Sequence, residues 1–159
     1  MALKDLILVW NRLKKNIEKS TADNATLKSK LGEQTIDLVV KRTKEGFGVA
    51  TGVKNKKALA PLKDGYVRQR KSLRKTGKLA SDTTPNKSNF TKSGDALRNL
   101  QANITDNGTI VTPDTTKNRD KFANQDRNER QVLDLTKEEQ DKLARTVAAS
   151  IIKGLRSFK

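Results

Sequence analysis

Thr136-Lys137-Glu138-Glu139-Gln140-Asp141-Lys142-Leu143-Ala144-Arg145-Thr146-Val147-Ala148-Ala149-Ser150-Ile151-Ile152-Lys153-Gly154-Leu155 reads as a helix from cap to tail. Thr136 and Glu139 stand at capping-box spacing. In that motif the hydroxyl accepts from the N3 amide, and the carboxylate accepts from the N-cap amide. Leu143, Val147, Ile151 and Leu155 recur at every fourth position, with Ala144 and Ala148 beside them. That spacing lays one apolar stripe along the helix, which is read as core packing. Glu138, Glu139 and Asp141 lie near the positive end of the helix dipole, and Lys153 and Arg156 near the negative end.

Working toward the N-terminus, residues 3–19 carry a second helical stripe of Leu3, Leu6, Ile7, Trp10, Leu13 and Ile17. Asp23 or Asn24 can cap another helix running to about residue 44, with Leu27, Leu31, Ile36, Leu38, Val39 and Val40 on its apolar side. Gly32 weakens that helix slightly without ending it, and Gly46 is a stop. Residues 64–75 read as a short basic helix with a weak stripe of Tyr66, Val67, Arg70 and Leu73. Ser93 can cap a further short helix that carries Ala96, Leu97 and Leu100. Residues 102–105 and 109–111 flank Asp106-Asn107-Gly108, and an Asn-Gly pair between alternating segments signals a hairpin. The segments 46–63, 76–92 and 112–131 show no period and read as polar or basic arms. The expected fold is therefore α+β: one domain over residues 1–159, with N-terminal and C-terminal helices on a small antiparallel sheet and long arms between.

Composition bounds the function. The net charge is +16, from 34 Lys and Arg against 18 Asp and Glu with no His, which implies an anionic partner. The apolar share of 33% allows only a thin core, so neighbouring subunits would help to bury surface. Without Cys or His there is no thiolate chemistry, no imidazole base and no zinc site of the usual kind. The run Leu6-Ile7-Leu8-Val9-Trp10 is too short for a signal peptide and enters cationic sequence directly, so a cytosolic origin and no membrane association are expected.

Gly46-Phe47-Gly48-Val49-Ala50-Thr51-Gly52 has the look of a dinucleotide loop, but the third Gly is one residue late and the loop follows a helix instead of a strand. The carboxylates Glu138, Glu139 and Asp141 cluster because they open a helix, and Asp114, Asp120 and Asp126 lie among cations. No constellation carries a reaction, and the chain reads as neither an enzyme nor a holder of cofactor or metal. The strongest signal is residues 54–78, where Lys54, Lys56, Lys57, Lys63, Arg68, Arg70, Lys71, Arg74, Lys75 and Lys78 are offset by Asp64 alone. Such a segment suits sequence-independent phosphate contact, a solvated basic face or an acidic protein surface. Tyr66 is its single aromatic, so stacking on bases has little to work with.

Two phrases resemble the tail-completion, or neck, proteins of tailed bacteriophages. In Asn89-Phe90-Thr91-Lys92-Ser93-Gly94-Asp95-Ala96-Leu97-Arg98-Asn99-Leu100, Gly94 matches that family's first phrase and Ser93 stands in place of its Thr. In Arg130-Gln131-Val132-Leu133-Asp134-Leu135-Thr136, Arg130 and Leu133 match the second, with Val132 in place of an aromatic. The resemblance implies a virion protein, made in the host cytoplasm, that joins the DNA-filled head to the tail. It further implies a homo-oligomeric ring of six or twelve subunits around the DNA channel, in contact with portal or adaptor and tail proteins. A cellular nucleic-acid-binding protein, such as a ribosome-associated factor, explains the charge equally well.

Overall fold

The computed structural model describes residues 25–50, 52–105, 108–126 and 131–156. The expected helix over 3–19 lies outside these residues. Among them the chain forms five helices and two antiparallel two-stranded sheets, an α+β fold.

Helix α1, Ala25–Glu45, is the spine. Leu27, Gly32, Val39, Arg42 and Thr43 are its buried residues, spaced so that one face turns inward along its length. The Gly46 amide donates to the Thr43 carbonyl at 3.0 Å, and the chain turns at once into strand β1, Phe47–Val49. Strand β2, Lys56–Ala58, pairs back on it with Phe47 opposite Ala58. Residues 46–63 are thus a hairpin and not a projecting arm. Val49 and Leu59 are buried, and the Leu59 amide donates to the Gly46 carbonyl at 2.9 Å. Gly48, one of the glycines of the apparent dinucleotide loop, sits where the Gln131 carbonyl crosses β1, leaving no room for a side chain.

Helix α2, Asp64–Lys75, has the bounds expected from the sequence. Beyond its C-cap Thr76, Gly77 adopts φ +68°. Its amide reaches the Arg74 carbonyl at 3.2 Å, and the Lys78 amide reaches Leu73 at 2.8 Å. These are the paired bonds of a Schellman stop, which needs a left-handed residue at that position. The following segment, 76–92, has no regular structure but is not an arm either. Leu79, Thr83, Asn89 and Thr91 are buried, and the Asn89 side-chain carbonyl accepts from the Thr83 hydroxyl at 2.9 Å and the Thr91 hydroxyl at 2.6 Å. Phe90 stacks on Phe122 with ring centroids 4.6 Å apart.

Helix α3, Asp95–Arg98, is a single turn. Its N-cap is Gly94, at φ +79°, and not Ser93 as the sequence suggested; the Ser93 hydroxyl, one residue earlier, accepts from the Asp95 amide only at 3.5 Å. Leu100, assigned to that helix from its spacing, instead begins strand β3, Leu100–Thr105, which pairs with β4, Gly108–Pro113. The register sets Thr105 opposite Gly108, so two residues connect the strands, as the Asn-Gly signal implied. Helix α4, Thr116–Asp126, replaces most of the third expected arm. The Thr115 hydroxyl accepts from the Asn118 amide at 3.2 Å, and the helix delivers Phe122 to the core.

The core is small and drawn from everywhere: Val39, Leu59, Ala96, Leu97, Leu100, Phe122 and Val132. Helix α5, Lys137–Arg156, contributes no apolar residue to it. This corrects the reading of its stripe as core packing. Leu143, Val147 and Ile151 are only half-buried, the side chain of Leu155 lies outside the described residues, and α5 packs chiefly on α1 instead of on a sheet.

The spine and the β3–β4 hairpin meet at Gly32. A Cβ there would overlap Cβ of Ala102 and Cγ2 of Thr109. Gly→Ala in an exposed helix gains up to about 1 kcal/mol. Gly32→Ala should instead lose about 1–3 kcal/mol through overpacking, measured by urea unfolding, and Ala102→Gly in the same chain should recover part of that loss.

Candidate functional site

The ten cations of residues 54–78 do not form one surface. Fold and charge divide them. Arg70 is 1% exposed. Its guanidinium donates to the Lys87 carbonyl at 3.1 Å, to the Thr83 hydroxyl at 3.0 Å and to the Thr84 carbonyl at 3.0 Å. Arg74, one turn later on the same face of α2, donates to the Thr83 carbonyl at 2.7 Å. Both residues hold the 83–87 loop against α2, which removes Arg70 from the phosphate-contacting set and ties down Arg74. Burial pulls the Arg70 guanidinium below its ordinary pKa, partly offset by Tyr66.

Lys54 and Lys56 are committed to acids. Lys54 pairs with Asp134, and Lys56 with Glu45 at 2.8 Å while its ammonium also lies 4.3 Å from the Phe47 ring centroid. The Lys54 carbonyl accepts from the Lys137 amide at 2.8 Å, so this turn also docks on the start of α5. Lys57 is exposed on β2.

Of the remaining five, three share one side of the helix. Lys63 is the N-cap residue of α2, Arg68, Lys71 and Lys75 follow at i, i+3 and i+7, and Lys78 lies just past the helix end. At about 100° per residue, Arg68, Lys71 and Lys75 fall within one sector of roughly 60°, turned away from Arg70 and Arg74. All five are exposed, and none makes an ion pair among the described residues. Arg68 and Lys75 are about 10 Å apart along the axis, a length over which duplex DNA presents roughly six charges.

Asp64, one turn before Arg68, is the one acid on α2 and falls in the same sector without an ion pair among the described residues, whereas several other acids are paired elsewhere. Asp82 pairs with Lys44, Asp95 with Arg98, Glu138 with Lys142, and Glu139 with Arg42. Hydrogen bonds from their lysine partners hold the Glu45, Asp82 and Glu138 carboxyls below their ordinary values, and Ser93 and Arg98 do so for Asp95. Burial alone would raise Asp134, but Lys54 and the Leu135 amide outweigh it and the net shift is downward.

A second cleft, about 510 Å³, opens between α1, the β1–β2 turn and the start of α5. Of its cations, Lys54, Lys56 and Lys142 are paired with acids, Lys41 has no ion pair among the described residues, and the buried Arg42–Glu139 pair lies at its wall. Its charge is mixed. Among the described residues no group of three acids could hold a metal ion, and no helix is long and apolar enough to cross a membrane.

The sequence singled out residues 54–78 as a whole but not the division within them. The spacing of Arg70 and Arg74 with Tyr66 and Leu73 was the available signal, because a stripe shared with apolar residues faces the protein. It missed the Arg42–Glu139 pair, since nothing local connects residues 97 apart. No family model matches the chain, and no curated protein or solved structure gives a significant match.

Equal charge changes on α2 should therefore have unequal effects. Arg70→Gln leaves buried carbonyls without donors and should cost about 1–3 kcal/mol in urea unfolding, whereas Lys71→Gln should stay within about 0.5 kcal/mol of the parent. The carboxylates with lowered pKa contribute stability that is fully present above the ordinary carboxylate range of about 4 and is lost as pH falls through their lowered values. A thermal midpoint that does not fall in acid would contradict those assignments.

Proposed function

We propose that this chain is a structural, non-catalytic subunit of the neck of a tailed bacteriophage, assembling as a ring that joins head to tail and sets cations toward the DNA channel. The observation that carries the DNA-facing part of the reading is the sorting on α2. Arg70 and Arg74 serve the fold, while Lys63, Arg68, Lys71, Lys75 and Lys78 stand exposed without acidic partners. Retaining like charges together without neutralisation favours the compact state little and favours an anionic polymer strongly. Sequence-independent contact with phosphate is what such a face supplies.

The neck assignment rests on the resemblance of the two phrases, and the structure is compatible with their structural role. Ala96, Leu97 and Leu100 of the first phrase and Val132 of the second all enter the core. Ring formation is supported by the thin core and by the β3–β4 hairpin, which carries exposed Ile104 and Ile110 and has no third strand among the described residues. The runner-up, a cellular nucleic-acid-binding factor, would use the same face of α2 without forming a ring.

Two measurements test this reading, the first its DNA contact and the second its place in the neck. Affinity for duplex DNA should be insensitive to sequence and fall steeply with salt. Neutralising Arg68, Lys71, Lys75 and Lys78 to Gln should reduce the log–log salt slope by about 0.9 per contacting cation, up to roughly 3.6. The same change at Lys54 and Lys56 should leave the slope nearly unaltered. Particles made without the protein, viewed by electron microscopy, should show heads and, where they assemble separately, tails that fail to join, and purified protein should restore joining. Infectious particles in its absence would return the cellular factor to first place.

A further inference from the structure

The two hairpins of this fold treat their edges differently. The Val49 amide of β1 donates to the Gln131 carbonyl at 2.9 Å, and β2 is Lys56-Lys57-Ala58, exposed throughout. A crossing segment thus covers one edge of that hairpin, and lysines, a common guard against pairing with another chain, hold the other. The β3–β4 hairpin has neither device. Residues 99–113 hold one charged residue, Asp106, in a chain that is 33% charged. The ladder runs without a bulge from Leu100 opposite Pro113 to Thr105 opposite Gly108. Because Thr105 and Gly108 close a two-residue turn, they exchange hydrogen bonds, as do Asn103 with Ile110 and Gln101 with Thr112. The amides and carbonyls of Ala102 and Ile104 therefore point outward from β3, and those of Thr109 and Val111 outward from β4. None of these groups bonds to backbone outside the hairpin among the described residues.

We propose that β3 of one copy of this chain pairs antiparallel with β4 of the next, a seam that rests on the ring reading above for its closure. Setting Ala102 opposite Val111 and Ile104 opposite Thr109 of the next copy repeats the register inside the hairpin and forms about four backbone hydrogen bonds. Ala102 and Thr109 both lie against Gly32, so this register also keeps α1 of both copies on the same face of the continued sheet. Charge selects the occupant. A chain of net charge +16 repels its own copies, and these strands are where two copies meet without opposing like charges. The strand that fits is uncharged and β-branched, as Thr109-Ile110-Val111-Thr112 is. Each copy uses one edge and offers the other. That is a head-to-tail contact, which generates a ring where its rotation closes.

The chain has no Cys, so a single introduced one reports contact between copies. Asn103 and Ile110 are exposed. Across the seam they form a non-hydrogen-bonded pair with Cα atoms about 4.5 Å apart, within disulfide reach. Full-length Asn103→Cys and Ile110→Cys, mixed under oxidation, should give unlike disulfide dimers as the main product. Asn103→Cys mixed with Ser72→Cys, exposed on α2, should give only background. Should the substitutions disturb the hairpin, hydrogen exchange of the unaltered protein, read residue by residue by NMR, provides an independent reading. The amides of Ala102, Ile104, Thr109 and Val111 should exchange fast at high dilution and be protected in the assembly, while those of Asn103 and Ile110 are protected in both. Disulfides mainly between like variants, none above background, or protection of the four outward amides at every dilution would each overturn the proposal. The last result would place a cover over the edges within one chain. The neck reading fails separately: infectious particles without the protein would remove it and leave the seam, whereas a ring that assembles without the unlike disulfide would remove the seam alone.

Discussion

The fold depends on one residue, Glu139, whose carboxylate has two partners and whose amide has a third. Glu139 accepts the Arg42 guanidinium and the Thr136 amide at 2.8 Å, and its own amide donates to the Thr136 hydroxyl at 3.2 Å. It is the single fully buried side chain among the described side chains of α5, so that helix is anchored by a charge and not by an apolar plug. Arg42 extends the junction by donating to the Val132 carbonyl at 2.6 Å and the Asp134 carbonyl at 2.8 Å. The strand-like 131–135 segment, which brings Val132 into the core and runs beside β1, is thereby fixed to α1. Burial pulls the Arg42 pKa down, and the Glu139 carboxylate opposes that shift. Removing one partner of such a pair costs about 3–5 kcal/mol, more than a pair exposed to water would.

That junction also shapes the surface. With few apolar residues available, the protein uses arginine forks and lysine–carboxylate pairs to close irregular segments onto helices. Arg42 closes 132–134, Arg70 and Arg74 close 83–87, and Lys54 closes onto Asp134. Arginine suits this work because its planar donors satisfy several carbonyls at once. The acids are spent at the same places. Arg68, Lys71 and Lys75 on the outward side of α2 are among the cations left without an ion pair.

Much of this was legible in the sequence. The capping box at Thr136, the extent of α1, the bounds of α2 and the Asn-Gly hairpin are all local, set by residues within one or two turns. The three expected arms were not legible, for a common reason. Residues 46–63, 76–92 and 112–131 each commit only a few side chains inward: Val49 and Leu59, then Leu79 with the Thr83–Asn89–Thr91 cluster, then Phe122. Isolated buried residues in polar sequence produce no period. Their placement is set by long-range partners such as the Gln131 carbonyl and the Phe90 ring. The same limit applied to the cationic segment, where composition marked the stretch but could not tell Arg70 from Lys71.

Lysine-reactivity footprinting by mass spectrometry, with and without duplex DNA, tests the division of charge most directly, because it reads each ammonium in the intact protein. The account predicts protection of Lys63, Lys71, Lys75 and Lys78 on binding, with Lys54 and Lys56 equally reactive in both states. Protection confined to Lys54 and Lys56, or spread evenly over every lysine, would contradict it.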